Sequence, residues 1–186
     1  AGQNWTSKPA QTECHKVEGG WKINGFKKFA SLAGYCDYYS IVCTERFEGI
    51  EPRHEDTMIF VVHKGTPGLE IKGDWDPLGM RATNSRDLIL KDVFVSEEDL
   101  MMPRGIFIKT LPHFPHVMAT LSPTYMGIAQ SAYDFTVAYL RGDIKGQPIA
   151  DRRLFATKRF AVAKMYARLA PVRALWWQVF MEAKGF

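Results

Sequence analysis

The sequence predicts an α+β chain: a small antiparallel β-barrel or sandwich followed by two long antiparallel helices. Three observations carry this. Short runs rich in β-branched and aromatic residues, separated by glycine and proline turns, fill the stretch from Glu13 to Val95. Past Arg104 the apolar residues recur with a helical period, first over Tyr125 to Leu140 and then from about Asp151 onward. Only a short loop separates those two periodic stretches, which makes an antiparallel helical hairpin.

In chain order, Gly19-Gly20, Asn24-Gly25, Thr66-Pro67-Gly68 and Pro77-Leu78-Gly79 mark turns between extended segments. Asn24-Gly25 is expected at the centre of a type I′ hairpin, because both residues tolerate positive φ. Tyr38 to Thr44 and Met58 to His63 read as buried strands, and Leu88 to Val95 alternates as a strand with one wet face. The loop from Glu45 to Asp56 carries five carboxylates and two arginines around Pro52 and reads as exposed.

Pro112, Pro115 and Pro123 punctuate the passage into the helical part. Ser122-Pro123 suits an N-cap and first-turn pair, and Gly142 suits a C-terminal stop. Between them Met126, Ala129, Ala132, Tyr133, Thr136, Val137 and Leu140 share one broad face. The second helix carries Phe155, Val162, Met165, Leu169, Val172, Trp176 and Phe180, with Pro171 expected to kink it. Two helices alone cannot cover both apolar sides, so other helices, the β module or a second subunit must. The expected boundary places a β domain at 1–107 and a partial helical domain at 108–186.

The chain has 186 residues, 46% hydrophobic and 24% charged, enough for a real core and too apolar for disorder. Its net charge of +4 is spread among acids, which gives no nucleic-acid footprint. Cys14, Cys36 and Cys43 lack CxxC spacing, so neither a disulfide framework nor a zinc site is expected, and the simplest compartment is reducing and cytoplasmic. His113 and His116 stand three apart without further ligands nearby, so no metal is expected. No apolar run approaches the roughly 20 residues that span a bilayer.

Three ordered stretches carry a resemblance. They are Gly20-Trp21-Lys22-Ile23-Asn24-Gly25-Phe26-Lys27-Lys28-Phe29-Ala30-Ser31; Pro77 to Val95; and Gly127-Ile128-Ala129-Gln130 with Tyr139, Gly146, Gln147 and Pro148 further on. Their order and spacing resemble the acyl-CoA dehydrogenase flavoproteins. The resemblance covers nearly the whole chain and implies a β-barrel middle domain, then the first two helices of an incomplete four-helix bundle. It also implies that the chain is a fragment, which by itself would hold FAD weakly at best.

What the resemblance implies for the site follows residue by residue. Phe29 would pack against the FAD isoalloxazine, and Ser31 would place a hydroxyl donor beside flavin N5, with Ala30 adding backbone contacts; a flat apolar ring needs an aromatic wall. Without the resemblance, Phe29 reads as core and Ser31 as a strand hydroxyl bonded to backbone. Gln3 falls where relatives contact the cofactor, and Arg141 is placed to meet the FAD diphosphate. Phe114, Val117, Leu121 and Tyr125 would line an acyl channel.

The reaction implied is α,β-dehydrogenation of an acyl-CoA thioester or similar hydrophobic substrate, with electrons passing to an electron-transfer partner or to oxygen. A glutamate base is needed. Val117 occupies one family position for it and cannot serve, so the base is expected beyond Phe186 and no catalytic residue is assigned here. Relatives are homo-oligomers, dimers or tetramers. Two alternatives stand beside this: a flavin-dependent monooxygenase on the same fold, and a non-catalytic binding or assembly module.

Overall fold

In a computed structural model, residues 8–113, 120–146 and 151–183 are described. The chain divides after His113 into two compact units, residues 1–113 and 114–186. The first unit takes in α1 (Ile106–Thr110) after the last strand.

The first unit is a seven-stranded sheet built from β1 (Glu13–Val17), β2 (Gly20–Ala30), β3 (Tyr38–Glu45), β4 (Thr57–His63), β5 (Leu69–Lys72), β6 (Arg86–Ser96) and β7 (Leu100–Met102). Their spatial order is β5-β6-β2-β1-β3-β4-β7. All pairings are antiparallel except β1 with β3, where Glu13 faces Thr44 and Cys14 faces Glu45 in parallel register. The sheet is therefore mixed where the sequence reads as purely antiparallel. Segment composition reports that a strand exists, and not which neighbour it pairs with.

The sheet closes over its own core. On a flat sheet β2 and β4, three positions apart, would lie roughly 14 Å from each other. Yet the rings of Trp21 on β2 and Phe60 on β4 have centroids 5.1 Å apart. Ile23, Ile41, Phe60, Val62, Leu88, Leu90 and Val93 fill the enclosed space, none more than 2% exposed. The strands expected to be buried, β3 and β4, supply much of it, and β6 keeps a wet face as its alternation suggests.

Asn24-Gly25 is not a hairpin turn. The turn lies at Glu18-Gly19, with Val17 opposite Gly20, and β2 runs straight through residues 24 and 25. Gly25 is required for closeness instead: at φ 151° a β-carbon there would stand 2.7 Å from the Thr12 Cα. Asn24 clamps a bulge in the neighbouring strand, where Asp92 adopts φ 47°. Its side-chain oxygen accepts from the Asp92 amide at 2.8 Å and its amide nitrogen donates to the Asp92 carboxylate at 3.0 Å. The acidic loop is also not uniformly exposed, since Asp56 is buried, accepts from the Arg53 amide at 2.9 Å and lies 3.7 Å from Arg104.

The second unit holds α2 (Ser122–Arg141) and α3 (Ala156–Ala183). Gln130 accepts from Arg173 at 3.0 Å and the Tyr133 and Tyr166 rings meet tilted, centroids 5.9 Å apart, so as one helix advances its partner retreats and the pair is antiparallel. Gly142 ends α2 in the left-handed conformation as expected, while the N-cap is Leu121, one residue before the predicted Ser122. Pro171 lies inside α3 without ending it. The covered seam is narrower than the predicted face: Met126, Tyr133, Val137 and Leu140 are half-buried, whereas Ala129 and Ala132 are exposed. Among the described residues no helix is long and apolar enough to cross a membrane.

Candidate functional site

The end of β2 makes the site because the strand carries one residue too many. Lys27 faces Leu88 and Ala30 faces Arg86, so β2 gains a residue over β6 and bulges. Phe29 occupies the bulge at φ 58°. For a bulky side chain such a conformation costs on the order of 1–3 kcal/mol and persists only where its surroundings hold it. It swings the ring out of the sheet, 67% exposed. Phe29 is thus not a core residue, as it would be in a regular strand.

The segment that follows Lys72 does the holding. The Leu32 amide donates to the Thr83 carbonyl at 2.7 Å, the Ala33 amide to the Asn84 carbonyl at 3.3 Å, and the Asn84 side chain to the Ala33 carbonyl at 2.7 Å. Trp75 meets Phe29 edge-on, ring centroids 6.1 Å apart and planes at 74°. Trp75 is itself fixed, its indole N–H donating to the Met80 carbonyl at 3.0 Å. Ser31 bonds a side chain and not the backbone: its Oγ lies 3.1 Å from Ser85 Oγ, which donates to Thr83 Oγ1 at 2.8 Å, which donates to the Met80 carbonyl at 2.8 Å. The Pro77 to Ser85 turn therefore supports both Phe29 and Ser31 from behind.

In front of them lies a cleft of about 610 Å³. Phe29, Ala30 and Ser31 line it with Tyr38 and Tyr39 of β3, the segment Lys8–Thr12, and Phe107 of α1. Lys8, Lys27 and Lys28 all contribute to its wall and, among the described residues, no carboxylate does. Lys27 is half-buried and donates from Nζ to the Val42 carbonyl. Burial lowers its pKa to about 8, only slightly offset by Cys43 nearby. A cleft with aromatic faces and lysines but no acidic side chain among its described lining residues fits a flat, partly apolar anion.

Of the other sequence candidates, Gln3, Phe114 and Val117 lie outside the described residues. Leu121 and Tyr125 sit one helical turn apart at the start of α2, the Tyr125 amide donating to the Leu121 carbonyl at 3.1 Å, and both side chains are exposed. Arg141 is exposed in the last turn of α2. Sequence reasoning did not pick out Trp75, Thr83, Ser85 or Lys27. The hydroxyls of Thr83 and Ser85 were in plain view inside the Pro77 to Val95 stretch, but nothing local says which strand they reach.

A family model described as "Acyl-CoA dehydrogenase, middle domain" matches residues 1–93, half of the chain. The chain belongs to the acyl-CoA dehydrogenase family. Within the family it is 34% identical over 155 residues to the putative acyl-CoA dehydrogenase YdbM of Bacillus subtilis (strain 168), a match spanning 76% of this chain and 37% of that protein. It is 31% identical over 172 residues to indole-3-acetate monooxygenase of Pseudomonas putida, spanning 87% of this chain and 42% of that one. The fold also matches the crystal structure of an acyl-CoA dehydrogenase from Geobacillus kaustophilus with a TM-score of 0.74 at 20% identity, covering 98% of this chain and 47% of that one. The chain thus spans less than half the length of these acyl-CoA dehydrogenase relatives.

Proposed function

We propose that the protein is an FAD-dependent oxidoreductase that dehydrogenates an acyl-CoA thioester, and that this chain contributes its flavin-facing cleft. The observation that carries the reading is the wall of that cleft. An exposed aromatic ring, a hydroxyl two residues on, and three lysines without a carboxylate suit an apolar ring system attached to phosphates.

Phe29 would hold the isoalloxazine face, with Trp75 behind it, and Ser31 would meet the ring edge. The cations of Lys8, Lys27 and Lys28 would raise the local concentration of an anion, and Arg141 is a candidate for its diphosphate. FAD, when bound, supplies a hydride acceptor at N5. Leu121 and Tyr125 present exposed hydrocarbon surface, as an acyl-lining pair would, and the proton-abstracting base would lie outside the described residues.

Family membership and the YdbM match support a dehydrogenase. A second reading, a flavin-dependent monooxygenase, is favoured by the match to indole-3-acetate monooxygenase, which covers more of this chain. Titration with FAD up to millimolar concentration, followed by flavin fluorescence and the visible bands, tests the cofactor. No perturbation of either would sink the flavin reading. Anaerobic addition of acyl-CoA esters to the flavin-loaded protein separates the two reactions: bleaching supports dehydrogenation, and bleaching by reduced nicotinamide alone followed by oxygen uptake supports the monooxygenase.

A further inference from the structure

Lys27 stands where a barrel strand ordinarily turns an apolar side chain inward. It continues the alternation of Trp21, Ile23 and Gly25 along β2 and pairs with the buried Leu88 of β6. It is half-buried, whereas its neighbours Phe26 and Lys28 are exposed. Its Nζ donates to the Val42 carbonyl of β3. Around it, β3 presents Cys43, Tyr38 and Tyr39, β2 presents Lys28, and the segment before β1 presents Lys8, while β6 and α1 contribute Leu88 and Phe107. Among the described residues lining the cleft, no carboxylate is there to hold its charge. Burial therefore makes it release its proton easily, at a pKa of about 8. The neutral amine can keep one N–H on the Val42 carbonyl and still has a lone pair, at the wall of a cleft of about 610 Å³.

We propose that Lys27 is an acylation site: when the cleft holds no cofactor, its amine captures the acyl group of a thioester that enters. This rests on the reading of the protein as one that meets acyl thioesters, and adds to it a regulation of the same cleft. The nitrogen attacks the thioester carbonyl carbon, and a C–N bond forms as the C–S bond breaks. Sulfur leaves as a thiolate and takes up the proton that nitrogen loses, so nothing is oxidised or reduced. The cations of Lys8 and Lys28 in the same wall favour the oxyanion formed on the way. The product is an uncharged amide whose acyl group occupies the cleft. A chain without its cofactor is thus marked and closed by the thioester, and a bound cofactor shields it.

The expected selectivity follows from the free amine available. At about pH 7.5 about one-quarter of an amine of pKa about 8 is unprotonated, against about one in a thousand for an ordinary lysine. A weaker base is also a weaker nucleophile, which returns about tenfold of that advantage if amines follow the dependence thiols show.

The test exposes the full chain to S-acetyl-N-acetylcysteamine, a thioester that needs no recognition of a CoA moiety, and follows acetylation by peptide mass spectrometry. Lys27 should be acetylated roughly tenfold to twentyfold faster than the exposed Lys22 of the same strand at about pH 7.5. Its rate should level off above about pH 9, whereas an ordinary lysine gains reactivity up to about pH 10. In concentrated urea the preference should vanish, and Lys27→Arg should lose the label from that peptide while the others keep theirs. Equal labelling of Lys27 and Lys22 in the folded chain, or a Lys27 rate that climbs steadily to about pH 10, would overturn the inference. Saturating FAD should suppress labelling of Lys27 and leave Lys22 unchanged. Labelling undiminished by FAD would keep the acylation site and remove the flavin from this cleft, so the two readings fail separately.

Discussion

Replacing Lys27 with methionine tests whether the cleft imposes a burial cost on its own lysine. The folded pKa falls from 10.5 to about 8 because burial disfavours the ammonium. That displacement corresponds to about 3 kcal/mol against the folded state. The sign follows from proton binding. Between these two values the unfolded chain holds the proton and the folded chain has released it, so stability rises with pH across the window; the penalty is complete below about pH 8 and fades toward pH 10.5. Partial exposure and the bond to the Val42 carbonyl return part of it, leaving about 1–2 kcal/mol. Lys27→Met has no charge to bury. Its stability relative to the parent should therefore fall by about 1–2 kcal/mol as pH goes from about 7 to about 10. Urea unfolding of both proteins, followed by tryptophan fluorescence at a series of pH values, measures this, and the difference cancels every other titrating group. Two stability curves that run parallel over that range would refute the reasoning.

Three further outcomes are expected. Gly25→Ala should cost about 2–3 kcal/mol in urea unfolding, since the new β-carbon would meet Thr12 backbone, which cannot swing aside like a side-chain tip. Asp56→Ala should lower stability by about 2–3 kcal/mol in thermal melts, because it strips the Arg53 amide and two guanidinium groups of their buried acceptor, whereas Asp56→Asn should cost less. Trp75→Ala should leave stability nearly unchanged, since Phe29 is largely exposed, yet weaken FAD binding by about threefold to tenfold in fluorescence titration, with Trp75→Phe retaining most of it.

The strands and helices themselves were legible. Tyr38 to Thr44 and Met58 to His63 are core strands because their composition leaves them no other low-energy place, and Gly142 ends its helix because a left-handed cap favours glycine. The family stretch around Phe29 and Ser31 was legible too, and these residues do line one cleft. Asn24-Gly25 misled for a physical reason. An Asn-Gly pair is permissive of a turn without requiring one, and here the same permissiveness serves a close backbone crossing with Thr12 and a clamp on the Asp92 bulge.

By itself, then, the sequence determined the α+β class, the existence and limits of most elements, and the family address of the site, since hydrophobic period and turn chemistry act within a few residues. Only the tertiary structure decided that β1 pairs in parallel with β3, that Phe29 leaves the sheet on a bulge, and that the Ser31 hydroxyl meets that of Ser85. Each of those depends on a partner tens of residues away, and a one-residue offset between two strands changes which face a side chain meets.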